Sequence, residues 1–194
     1  IFPERPSSAD IARNIAGAPS RDAATVFAPG DTYLAALSLT GGKLGDGAVF
    51  DEQQALVGRL AGLAYADANT HLLLSANASY VFKVADTAAG PNSPATIGFS
   101  NGPELAIDSS KLVNTGNIDA ANATEWGLEA AANWRNLYGQ AGYFGYGIER
   151  RASTLPNPDF SGWYVLATWV VTGEARRYDP ATASFRAPRP HTVF

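Results

Sequence analysis

Five charged side chains stand out because they interrupt or close stretches that otherwise alternate. Arg59 lies inside the mostly apolar run Leu56–Tyr65. Lys83 and Arg150 close runs of their own. Glu125 and Glu129 share one polar face of Thr124–Trp134. The chemistry open to such a set is electrostatic: charges along a wall steer ions without holding them strongly. Covalent chemistry fits poorly. A spacing of four on one strand puts Glu125 and Glu129 roughly 13 Å apart, beyond the separation a glycosidase pair uses. The two histidines, His71 and His191, have no triad motif around them and are too few for a His-rich metal cluster. Gly41–Gly47 contains Lys43 but lacks the Gly-Lys-Ser/Thr ending of a phosphate loop, and no helix follows, so it reads as a hairpin loop. With no Cys, disulfides, thiolate metal sites and thiol nucleophiles are all excluded. No enzyme, cofactor or metal is expected. The pairs Arg150-Arg151 and Arg176-Arg177 either attract anions or are solvated loop charges.

The elements that must position these charges are strands. In His71–Lys83, Leu72, Leu74, Ala76, Ala78, Tyr80 and Phe82 alternate with His71, Ser75, Asn77, Ser79 and Lys83; Leu73 and Val81 break the pattern. Thr124–Trp134 sets Trp126, Leu128, Ala130, Ala132 and Trp134 against Glu125, Glu129 and Asn133. Phe160–Thr172 sets Trp163, Val165, Ala167, Trp169 and Val171 against a less polar face that includes Tyr164 and Leu166. Weaker strands are Asp22–Ala28, Thr32–Thr40, Gln53–Tyr65 and Leu137–Ile148, and one short helix fits Ser8–Ile15. The expectation is antiparallel and all-β.

A strand of about 11 residues, tilted about 40°, rises roughly 28 Å, which matches a bilayer's hydrocarbon core. No stretch of about 18 apolar residues exists, which excludes a membrane-crossing helix but not a barrel. Short connections (Pro29-Gly30, Asp67–Thr70, Arg135-Asn136) alternate with long ones (Gly41–Asp51, Ala85–Ala123, Arg150–Asp159), as in outer-membrane barrels. Aromatics at Tyr65, Tyr80, Phe82, Trp126, Trp134, Trp163 and Trp169 suit interfacial girdles. In a barrel, Arg59 must face the lumen or lie near an end, because a charge towards lipid is costly. Charge is low, at 16% of residues, and the net charge of −4 comes without a basic stripe, so nucleic acid is not expected as a partner. Three classes remain open on pattern alone: a membrane channel, a soluble secreted β-sandwich that binds carbohydrate or protein, and a purely structural envelope barrel.

Four stretches, in order along nearly the whole chain, resemble the phosphate-selective porin O and P family. They are Glu4-Arg5-Pro6 leading into Asp10–Ala16; Phe50-Asp51-Glu52-Gln53; Leu112–Ala120 followed by Trp126-Gly127-Leu128-Glu129; and Phe160–Val165 continuing to Thr172–Tyr178. The resemblance implies a 16-stranded outer-membrane barrel, usually trimeric, set in lipid and lipopolysaccharide. It implies passage of small hydrophilic solutes and anions, phosphate among them. Against that plan, residues 1–194 read as one incomplete barrel segment of about seven crossing strands, with a processed or truncated start at Ile1. Residues 84–123 form a long extracellular or inward-folded loop, and Ala187–Phe194 reads as a connection from which the chain goes on. Arg59, Lys83, Glu125, Glu129 and Arg150 are the expected pore-lining charges. The family pattern is rich in Arg around Gly98–Lys111, whereas here Ile97–Asp108 has none, and Leu166 replaces an expected polar lumen residue. The anion preference expected is therefore mild.

Overall fold

The computed structural model describes residues 7–12, 15–16, 20–43, 51–86, 94–102 and 110–189. Seven long strands form one antiparallel sheet: β1 (Arg21–Pro29), β2 (Tyr33–Lys43), β3 (Gln54–Ala66), β4 (Thr70–Lys83), β9 (Asn122–Trp134), β10 (Leu137–Glu149) and β11 (Asp159–Trp169), neighbours in that order. Between β4 and β9 the chain makes two small ladders, β5 (Thr96–Ile97) with β8 (Ile118–Asp119) and β6 (Ser100–Asn101) with β7 (Val113–Asn114). A hairpin, β12 (Arg177–Asp179) with β13 (Ser184–Arg186), follows β11. The sheet is not closed into a barrel: β1 and β11 are its edges among the described residues.

The pleat sorts the side chains as alternation requires. On β9, Trp126, Leu128 and Trp134 are exposed, while Ala123, Glu125, Ala131 and Asn133 are buried. Register carries the same two faces across the sheet. One inner row runs Val57, Ser79, Glu125, Tyr146, Phe160; the next runs Ala36, Arg59, Asn77, Gly127, Phe144, Gly162. The described elements that cover the sheet lie on this inner face. Helix α1 (Ser7–Ala12) contributes Ala12, with Ile15 and Ala16 just beyond it, to a core with Val81, Phe99, Ile118, Phe144, Tyr146 and Tyr164. Phe99, from the excursion between β4 and β9, meets the rings of Tyr146 and Phe160 at 5.5 Å each. Glycine makes room where rings cross a neighbouring strand: a Cβ on Gly127 would come within 2.5 Å of Phe144, and one on Gly145 within 2.6 Å of Trp126.

The outer face has no cover among the described residues. Leu60, Leu128, Trp163, Val165 and Trp169 are each more than half exposed there. Trp134 and Trp169 flank Leu137 in one row at the short-turn end. Trp126 packs on Tyr143 at 5.5 Å nearer the other end, with Tyr80 and Phe82 in contact beyond it. Eight residues separate Trp126 from Trp134, roughly 27 Å along the strand and roughly 21 Å across a membrane at a 40° tilt. An apolar band between two girdles is about 25 Å tall, so the two aromatic rows lie close to its edges. A soluble sandwich needs a second sheet or helices over such a face, because soluble proteins rarely expose apolar patches beyond a few hundred Å².

Several boundaries differ from the sequence reading. The strand expected over Phe160–Thr172 stops at Trp169. Asn136 captures the backbone of Val170 in both directions, at 2.9 Å each, and Gly173 turns the chain at φ 96° with its N–H on the Val170 carbonyl. The helix expected over Ser8–Ile15 spans Ser7–Ala12. The part of the Arg-free stretch Ile97–Asp108 from Pro103 on, the Leu44–Gly47 part of the glycine-rich loop, and His191 and Phe194 in the C-terminal segment lie outside the described residues.

Candidate functional site

The inner face of the sheet collects most of the charges singled out above, and the structure gives each a specific partner. Arg59, mid-strand on β3, faces inward and crosses to the β12–β13 turn. Its two terminal nitrogens donate to the carbonyls of Thr182 and Ala183, at 2.9 Å each. Glu125 is buried and accepts a hydrogen bond from the Ser79 hydroxyl at 2.9 Å, beside the ring cluster that Phe99 caps. Glu129 is half-buried. It accepts from the Tyr164 hydroxyl at 2.5 Å and from Gln140 at 3.4 Å. Gln140 also donates to Tyr164 and accepts from the Tyr138 hydroxyl at 2.7 Å. A polar chain thus runs along the inner face from Glu129 to Tyr138.

The other two charges are used differently. Lys83, at the end of β4, pairs with Asp51 at 2.8 Å. Arg150 follows β10 and closes its own loop, its Nε donating to the Pro156 carbonyl at 3.1 Å and its backbone N–H to Asn157. Arg151 ties that loop to the excursion through Asp119 at 3.0 Å. Arg59, Glu125 and Glu129 share the inner face, whereas Lys83 and Arg150 sit at its rim with their donors engaged.

One grouping is absent from the five. At the short-turn end, a cavity of about 610 Å³ is lined by His71, Asn133, Arg135, Arg176, Arg177 and Tyr178, among others. Asn133 donates to the Arg176 carbonyl at 2.6 Å and faces His71 Nδ1 at 3.2 Å. Arg176 lies over the Tyr138 ring and Arg135 over Trp134. Among the described residues, no carboxylate lines this cavity. The nearby turn carboxylate, Asp67, accepts from the backbone N–H groups of Asn69 and Thr70 at 2.7 Å and from Tyr65, which holds it below its ordinary value of 3.8. The only trace of this basin in the sequence is the Arg176-Arg177 pair. Its other members come from turns that only the folded sheet brings together.

An uncovered apolar outer face and a polar, charge-bearing inner face agree with the family comparison. The model of the family described as phosphate-selective porin O and P matches residues 1–192. The chain belongs to this family. A search of curated proteins finds no match. The porin is therefore an outer-membrane β-barrel protein of the bacterial envelope, and its family is one of channels rather than enzymes. Among the described residues there is no cluster of His, Asp and Glu suited to a metal ion.

Proposed function

We propose that this porin is a passive diffusion channel for small hydrophilic solutes, with a mild preference for anions. The observation that carries the reading is the division of the sheet: apolar and uncovered outside, polar and charge-bearing inside. The excursion between β4 and β9 packs Phe99 and Ile118 against the inner face, so it narrows the lumen instead of standing out from the barrel. Selectivity then follows from charges that keep a field in the path. Glu125 and Glu129 oppose anions. The basin of Arg135, Arg176 and Arg177 favours them, with the buried Glu174, between the lining residues Gly173 and Ala175, offsetting part of that field. Fields of both signs, screened over about 10 Å at 0.1 M salt, leave a weak net preference. Phosphate is one solute that fits. The assembly is a homotrimer surrounded by lipid and lipopolysaccharide.

The test is reconstitution of the full-length porin in planar bilayers. The expected result is stepwise conductance, with a reversal potential in a salt gradient displaced modestly towards anions. Bilayers that stay silent while the protein is folded and inserted would instead support a purely structural barrel.

A further inference from the structure

The β12–β13 hairpin is a strap across the concave side of the sheet. It leaves the edge strand β11, and its turn comes to rest over the middle strands β2, β3, β4 and β9. There Ala183, with none of its surface exposed, packs with Leu34, Ala61, Leu73 and Ala131. The hairpin is braced internally. Asp179 takes two bonds from Arg186, at 2.7 and 2.9 Å, and one from the Thr182 hydroxyl at 2.6 Å. These bonds tie its two strands to each other independently of the sheet. The base is held by the Asn133 bond to the Arg176 carbonyl and by ring contacts of Tyr178 and Phe185 with His71 and Tyr138. The tip is held by polar bonds to the sheet only through Arg59, among the bonds resolved for the described residues.

Arg59 makes no ion pair with a carboxylate among the described residues. Its flanking row mates are Ala36 and Asn77, and its two bonds go to neutral backbone carbonyls. A guanidinium fork takes two oxygens of an anion in a bidentate pair charged on both sides, whereas its bonds to neutral carbonyls are charged on one side only. We propose that the Arg177–Arg186 hairpin is a movable constriction latched by Arg59, and that an anionic solute bearing two oxygens releases it by taking the guanidinium from the two carbonyls. Arg59 is then a positioning residue for the strap and a docking point for the solute that displaces it. The proposal rests on the channel reading for its purpose but not for its test.

The 194 residues contain no Cys, so Ala183→Cys, in a full-length porin with any Cys elsewhere changed to Ser, places one thiol under the seated hairpin. The full-length porin, inserted in vesicles, is treated with a small charged thiol reagent, and the modification rate is read. In chloride, with Arg59 present, the rate is low. Arg59→Ala raises it at least about tenfold, since two charge-assisted hydrogen bonds are lost. Arg59→Lys, which keeps the charge without the fork, gives an intermediate rate. Inorganic phosphate, replacing chloride at equal ionic strength, raises the rate in the Arg59 protein and not in Arg59→Ala. Heat-modifiable migration on gels shows that each variant is a folded barrel, and Ser184→Cys is a second reporter should Ala183→Cys itself unseat the turn. Equal rates with and without Arg59 overturn the latch. A phosphate effect that is absent, or that persists in Arg59→Ala, overturns release by the anion. Because the reporter reads no current, a silent bilayer with a released thiol would sink the channel reading alone.

Discussion

At the scale of single residues, whether a charge shapes ion passage depends on what already holds it. Lys83 and Asp51 form a half-exposed pair, worth about 0.2–1 kcal/mol at most, and together they present little net field. Arg150 has its Nε engaged within its own loop. Removing the neutral Lys83–Asp51 pair as a whole, in Lys83→Ala/Asp51→Ala, should leave the reversal potential of the full-length porin within error of wild type, whereas Arg150, bonded to a neutral carbonyl, keeps its charge at the rim. Glu129 differs. It is half-buried on the inner face, held by Tyr164 and Gln140 but neutralised by no cation among the bonds resolved there. Glu129→Gln keeps those partners and removes one negative charge, so the reversal potential should move towards anions by several millivolts. A larger shift from that double variant than from Glu129→Gln would show that the rim, not the inner wall, controls selectivity. These distinctions could not be read from the sequence. Lys83 and Arg59 both sit in alternating runs, yet one meets Asp51, 32 positions away, and the other meets carbonyls 123 and 124 positions away.

At the scale of elements, the strands and their facing were legible because period two is a local signal: Trp126, Leu128 and Trp134 show it without any knowledge of neighbours. Facing in turn sets what a new charge costs. Leu128, near the middle of β9 and more than half exposed outward, should cost about 2–4 kcal/mol on change to Arg, as a charge at the bilayer midplane does. Ser75→Arg, inward and opposite Glu129, should cost far less. Urea titration of folding into vesicles separates the two, and equal costs would mean that the faces are assigned wrongly. The hairpin was missed because its strands are three residues each, too short to show a period. Its brace also makes a pH prediction. The Thr182 hydroxyl, then Arg186, hold Asp179 below the ordinary value of 3.8. A carboxylate depressed in the folded state stabilises it above the unfolded value and loses that contribution as pH falls through the folded one. Amide-exchange protection of the hairpin, corrected for intrinsic rates, should stay flat from about pH 7 to about pH 5 and fall only below the ordinary carboxylate range. A drop between those upper values would mean that protonation of Asp179 is not what loosens the hairpin.

At the scale of the whole molecule, the seven strands make an open, curved sheet, and openness is decisive in lipid. Every backbone N–H and C=O in hydrocarbon needs a partner, each orphan costing several kcal/mol, so only closed barrels persist there. Here β1 and β11 each present an unpaired edge, of 9 and 11 residues, among the described residues. Covering elements do not remove that cost, since α1, the excursion and the hairpin pack on the inner face and leave the edges bare. Closing these seven strands on themselves would give a barrel smaller than the eight-stranded kind, whose interior is already filled by side chains. The inner face also carries Phe99, Phe144, Tyr146 and Tyr164, which such a closure would crush together. Conduction therefore requires further strands that pair with β1 and β11. The 194-residue chain, purified and reconstituted alone, should aggregate through these edges or insert without conducting. A longer chain that supplies strands for both edges should show stepwise conductance. Stable single-channel currents from the 194 residues alone would mean that the edges find partners between copies, and the counting of strands per pore would have to start from the assembled chains.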